Sequence, residues 1–251
     1  MRPSHSAPVA LLLLLMLSAT AHAEFLVNYT HDAGGSDTAP LNGLAARATF
    51  DVSGNTLSVL LQNTSTGVPT SFAAADSLLV SIGFNLPSPL SILSGDTAKI
   101  GPGSSGIGSW SGWTAGHTVA QEWLWTNDYG GDLMDSGQPL ASRQVISTSN
   151  GQGAGTETLF GGGSGNVSGP YGGIAANPPL LSIPGSKPAV SNSILFTLTL
   201  SGSLSSADLA QVADSAIVEY GSDVRYLRAA QSGPEPATLL LMLLPLAFRR
   251  R

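Results

Sequence analysis

Between residues 48 and 61 the sequence ATFDVSGNTLSVLL puts an apolar side chain at every second position on both sides of one polar break. Ala48, Phe50 and Val52 alternate with polar neighbours, Ser53-Gly54-Asn55 interrupts, and Leu57, Val59 and Leu61 resume the rhythm. A period of two marks a strand with one buried face, and a short Gly-containing break joins two such strands as a hairpin. A helix does not fit, because its apolar stripe recurs every three or four residues.

Further segments carry the same signal. DSLLVSIGFNL (76–86), TVAQEWLW (118–125) and AIVEYGSD (216–223) read as strands. So does SILFTLTLSG (193–202), with Ile194, Phe196, Leu198 and Leu200 on one face. SSADLAQVADS is the one credible helix, N-capped by Ser205 or Ser206 and with Asp208 in its first turn. Only 10% of residues are charged and 30 are glycine, which suits strands joined by turns and not a helical bundle with Lys- and Glu-rich wet faces. The expected fold is all-β: an antiparallel β-sandwich or jelly-roll with one short helix, built from a single domain over 24–230.

Residues 24–234 hold six basic and fifteen acidic side chains, a net of −9. Such a body repels phosphate backbones, which excludes nucleic acid as a partner. The absence of cysteine excludes a disulfide scaffold, thiolate metal sites and thiol catalysis. Compartment is therefore read from the two ends. Arg2 and His5 precede the oily stretch Val9–Leu17, and Ala21-His22-Ala23 supplies a small-x-small cleavage pattern. Residues 1–23 read as a signal peptide cut before Glu24.

The other end has three parts in order: Pro234-Glu235-Pro236, the oily run Ala237–Phe248, and Arg249, Arg250 and Arg251. The prolines stop any strand or helix arriving from the body, and the arginines hold their end on the cytoplasmic side of a membrane. This order resembles the PEP-CTERM sorting signal, which is read by the membrane protease-transpeptidases called exosortases in Gram-negative bacteria that secrete exopolysaccharide. The same tail is catalogued under an ice-binding-protein C-terminal heading, but it carries no ice-binding chemistry. Its run of twelve residues rises only about 18 Å as a helix, short of the ~20 residues a full span uses. It fits a locally thinned bilayer with its arginines snorkelling.

The body also resembles a subgroup of PEP-CTERM surface proteins. The shared features are the early ATFDVSGNTLSVLLQNTS hairpin, the QEWLW segment, a Gly-rich centre and the late VEYGSD strand. The resemblance implies an exported protein that meets signal peptidase and exosortase and passes through the inner membrane on its C-terminal helix, segment 231–251. It then resides at the cell surface or in the extracellular matrix, associated with exopolysaccharide or biofilm. It supplies no activity.

Four tryptophans fall within sixteen residues: Trp110, Trp113, Trp123 and Trp125. Indole faces stack on the apolar faces of sugars, so a polysaccharide-binding module is the alternative function. Trp123 and Trp125 share one strand face and read as core. Trp110 and Trp113, in the loop-like IGSWSGWTAG, fit either an exposed platform or packing. The acidic turn NDYGGDLMDSG offers Asn127, Asp128, Asp132 and Asp135 as weak calcium ligands, although its spacing is not that of an EF-hand and a solvated loop explains it. His31, Asp32 and Asp37 form a weaker group. GPGSSG (101–106) has the glycine spacing of a dinucleotide fingerprint without a following helix, and reads as a loop. Only His31 and His117 follow the signal peptide, and no nucleophile motif accompanies either. The expectation is a protein without catalytic activity, cofactor or bound metal, and a secreted glycoside hydrolase is the remaining alternative.

Overall fold

The structure, a computed structural model, describes residues 23–32, 41–127, 143–148, 161, 170–221 and 225–229. Its strands are β1 (Ala23–Asp32), β2 (Ala46–Ser53), β3 (Thr56–Asn63), β4 (Leu79–Phe84), β5 (Ile92–Ile100), β6 (Ser105–Gly108) and β7 (Trp123–Thr126). They continue as β8 (Gln144–Thr148), β9 (Ile174–Ala175), β10 (Pro188–Ser191), β11 (Ser193–Leu200), β12 (Ile217–Tyr220) and β13 (Arg225–Ala229). Helix α1 (Ser206–Asp214) stands between β11 and β12. The all-β expectation with one short helix holds.

The strands form one sheet in the order β5-β11-β3-β2-β1-β13-β12-β4-β9-β10-β6, with β8 on β4 and β7 on β8. All pairings are antiparallel except β9 with β10. The β2–β3 hairpin keeps an unbroken register from Ala46↔Asn63 to Ser53↔Thr56, as the alternating sequence dictates. Phe50, Leu57, Val59 and Leu61 face one continuous core. There Phe50 meets Phe84 edge-on at 6.1 Å, and Trp123 lies 4.8 Å from Phe196. The helix closes the core with Leu209, Val212 and Ala213. Ser205 is its N-cap, in a reciprocal capping box with Asp208.

The sheet nearly closes on itself because β10 and β11 are one stretch of chain that changes partners. At Asn192, between them, φ is +82°, a left-handed conformation that asparagine tolerates better than most residues. The Asn192 amide donates to the Ala175 carbonyl, and its own carbonyl accepts from the Asn63 amide. One residue thereby links β9 to β3.

Two expected strands are shorter than the sequence suggests. Residues 75–77 form a single 3₁₀ turn, and β4 begins only at Leu79. β4 is buried on both faces, because Leu78 and Val80 pack with Ala175 and Ala189 in a second, smaller cluster on the outer side. In TVAQEWLW only Trp123 onward is strand. The Val119 amide donates to the Ala98 carbonyl at the edge of β5, and a turn from Val119 to Glu122 follows. The alternation of β5, β8, β10 and β13 is too interrupted to mark them as strands, whereas β1 carries a period of two in Phe25, Val27 and Tyr29 and yet is missing from the strands expected of the sequence.

A buried polar knot ties opposite sides of the core. Asn63 Nδ2 donates to the carbonyls of Ser77 (3.1 Å) and Ile174 (2.8 Å), and its Oδ1 accepts from the Ser65 amide at 3.1 Å. The Tyr220 hydroxyl donates to the Ala45 carbonyl at 2.6 Å and lies 3.1 Å from Asn63 Oδ1. Replacing Asn63 strands three buried groups, whereas Tyr220→Phe removes one donor and keeps the ring. Asn63→Leu is expected to cost about 3 kcal/mol and Tyr220→Phe about 1 kcal/mol, read from urea unfolding midpoints.

Candidate functional site

Two tight turns in succession build the most distinctive surface feature. Trp110 to Trp113 is closed by the Trp113 amide on the Trp110 carbonyl, and Thr114 to His117 by the His117 amide on the Thr114 carbonyl. The third residue of each is a glycine with positive φ, Gly112 at +95° and Gly116 at +88°, as a type II turn requires. Close approach fixes the loop to β6: the Gly106 amide donates to the Trp113 carbonyl, and a Cβ on Gly106 would collide with the Trp110 carbonyl oxygen.

The turns stack three rings. Trp110 and Trp113 are near-parallel with centroids 4.8 Å apart, and Trp113 and His117 are near-parallel at 3.9 Å. Trp113 lies in the middle. Trp110 is only 8% exposed and belongs to the core, Trp113 is half-buried, and His117 is exposed. His117 is held in place by its Nδ1, 3.0 Å from the Thr118 carbonyl. The ring face offered to solvent is therefore the imidazole, backed by two indoles, and not the face of Trp110.

Beside this column runs an open groove of about 460 Å³, floored by Val119 and Ala120 and flanked by Thr118, Gln121 and Glu122. Its size lies in the ordinary range for small-ligand sites, and its lining mixes aromatic, aliphatic and hydrogen-bonding groups. Glu122 is the one charged side chain among the described lining residues. The sequence pointed to Trp110 and Trp113 but missed His117, Gln121 and Glu122. The spacing of Gly112 and Gly116 behind the rings was the available clue.

The other expected sites are distributed as follows. Trp123 is fully buried, and its Nε1 donates to the Gly172 carbonyl at 3.1 Å; Trp125 packs half-buried against the core. Both match the core reading. Asn127 serves the fold: its side chain accepts from the Ile92 amide and donates to the Ile92 carbonyl, both at 2.7 Å, occupying the edge of β5. Asp128, Asp132 and Asp135 lie outside the described residues, as do Asp37, Ala21, Pro234, Glu235, Pro236, Arg249, Arg250 and Arg251. His31 Nδ1 lies 3.3 Å from the Thr30 hydroxyl. Ala23 opens β1 opposite Val52. Residues 101–104 turn into β6, with no helix behind them. Among the described residues no three His, Asp or Glu side chains converge as a metal site, and no helix is long and apolar enough to cross a membrane.

Comparison with family models, with curated proteins and with solved structures gave no match.

One ionisable group away from the groove has strongly altered chemistry. Glu219 on β12 is 5% exposed, and burial pushes its pKa up to about 8, opposed in part by the Ser81 hydroxyl, which donates to Oε2 at 3.0 Å. The folded form thus holds a proton that the unfolded chain releases near 4.5. Stability from this group is complete below pH 4.5 and declines as pH rises toward 8. Glu219→Gln keeps an acceptor for Ser81 and removes the titration. Thermal melts from pH 4 to 9 should show the parent losing stability across that window and the variant losing less, with the variant the more stable of the two at pH 8.

Proposed function

We propose that this chain is an exported, exosortase-sorted protein of the cell surface or extracellular matrix whose body is a non-catalytic, polysaccharide-contacting β domain. The location rests on the two ends of the sequence: an export signal before Glu24 and the ordered tail from Pro234 to Arg251. The contact role is carried by one observation, the Trp110–Trp113–His117 column standing beside an open groove. A rigid stacked aromatic surface with adjacent hydroxyl, amide and carboxylate groups suits the mixed apolar and polar faces of a sugar chain. With Glu122 as the charged lining residue on a body of net −9, uncharged glycans are favoured over polyanionic ones. A glycoside hydrolase reading has less support, since that chemistry uses a pair of carboxyl groups and the described lining residues supply one.

The same reading takes the rolled sheet as the sandwich expected from the sequence, with β5-β11-β3-β2-β1 as one wall and β13-β12-β4-β9-β10-β6 as the other. Phe50 against Phe84, and Tyr220 against Asn63, are the contacts between the walls that support it.

Affinity electrophoresis through gels containing a neutral or an acidic polysaccharide tests the contact role. The parent should be retarded by the neutral polymer. His117→Ala and Trp113→Ala should each weaken retention several-fold while the fold persists; unchanged mobility of the parent in every gel would remove the binding role. Trp110 is unsuitable as a probe, because truncating a buried Trp costs about 3–5 kcal/mol of stability.

Fractionation tests the address. Glu235→Ala should leave a full-length precursor in the inner membrane, and neutralising Arg249, Arg250 and Arg251 should let the chain slip through unprocessed. Unaltered localisation in both variants would refute the sorting role.

A further inference from the structure

The outer face of β5, β11, β3, β2 and β1 carries one row of side chains that crosses all five strands. The pairings Lys99↔Leu195, Leu195↔Leu60, Leu60↔Thr49 and Thr49↔Leu26 set these residues abreast. Their neighbours in sequence, Phe196, Val59, Phe50 and Val27 among them, point into the core, so the row points away from it. Leu26, Leu60 and Leu195 are only half-buried. Three partly wet leucines in one line stand out on a face that is otherwise polar.

Charge is disposed on either side of this row. On β2, Arg47 lies two residues to one side of Thr49 and Asp51 two residues to the other. Asp51 sits directly opposite Glu24 on β1, and two like charges abreast on one face favour a cation above them. Arg47 is held upright on the other flank by its Nε, which donates to Asn28 Oδ1 at 3.0 Å. About 13 Å of strand separates Arg47 from Asp51. One flank is therefore acidic, the other basic, and the apolar row lies midway.

We propose that two copies of this chain pack through this face, about a two-fold axis lying along the leucine row. Rotation about that line sets each row residue against its own copy, Leu60 on the partner's Leu60, and exchanges the two flanks. Arg47 of each copy then stands over the partner's Asp51 and Glu24, so the opposite charges are matched twice across the pair. The strands of the two sheets run aligned, a usual arrangement for sheets packed face to face. Five strands about 4.8 Å apart and eight residues of β2 cover roughly 500 Å² per copy, or about 1,000 Å² in the pair. That is the lower end for specific interfaces, so the pairing is weak and reversible. Ser193, at one corner of the face, is already covered by Ser104, whose hydroxyl lies 2.8 Å from its own, and the contact centres on β3, β2 and β1. Lys99 ends the row exposed at the β5 rim, where its ammonium reaches water. Beyond it Thr118 bridges to Lys99, so both grooves of the pair lie at that end of the axis. On the contact reading of the groove, pairing sets two weak sites side by side on one sugar chain.

The chain has no cysteine, so one introduced cysteine reports the axis. Thr49→Cys lies on it. Thr56→Cys lies on the same face four residues along β3 from Leu60, which puts the two copies' sulfurs about 27 Å apart. Both are made in the full chain, produced with export in a Gram-negative host, purified in detergent and gently oxidised. Thr49→Cys should run as a disulfide-linked dimer on a non-reducing gel, and Thr56→Cys as a monomer. In sedimentation velocity the parent should show a dimer that grows with concentration. Arg47→Asp and Asp51→Arg should each weaken association by about tenfold or more, and the two changes combined should restore it. Matching melts establish that the variants fold, and where a charge variant does not, the two cysteine variants decide. A monomeric parent, equal linking at 49 and 56, or association indifferent to the charge changes overturns the pairing and leaves the sorting and contact readings standing.

Discussion

The side chain of Asn63 is the constraint on which much of the architecture depends. An amide buried at 3% exposure is costly unless its donors and acceptor are matched, and here both donors and the oxygen are used. Its partners are the neighbouring Ser65 just after β3, the 3₁₀ turn before β4, and β9, which is 111 residues away in sequence. The Tyr220 hydroxyl joins from β12. Apolar packing alone tolerates sliding of one part of the sheet past another, whereas a matched polar knot accepts only one alignment. The hydrophobic surface supplies the driving force, and the knot selects the register in which it is spent.

The ring column follows the same logic at the surface. Its inner member, Trp110, is part of the core, so the outer members inherit rigidity from the packed interior. The two glycine-bearing turns give the loop no freedom to splay, and β6 holds it through a backbone hydrogen bond where a side chain would not fit. An exposed imidazole on such a base is held in one orientation by the rings behind it.

The sequence made the strongest alternations legible. The β2–β3 hairpin and β11 have one wet and one buried face, which leaves an unambiguous period of two, and Ser205 announces its helix through the cap. β4 kept its strand character but lost its alternation, because both faces are covered. β9 is two residues long, and β10 is adjacent to a strand with other partners, so neither carries a pattern of its own. At the site, Trp110 and Trp113 were visible as residue types, but their relative placement was not. Which indole is buried depends on the β6 contact at Gly106, and that contact is tertiary. Glu219 was silent in sequence for the same reason: only the assembled outer face removes it from water.

The change of partners at Asn192 has a mechanical consequence. The β10–β11 side of the rolled sheet is joined through the main chain itself at Asn192, so a force that opens the sheet there must work against covalent bonds. The β1–β13 side is held by a short ladder with an irregularity between Tyr29 and His31. A pull along β13 loads the hydrogen bonds of that short ladder together, in shear. The two seams of the rolled sheet therefore resist opening by different means, one by continuous main chain and the other by a short ladder of hydrogen bonds.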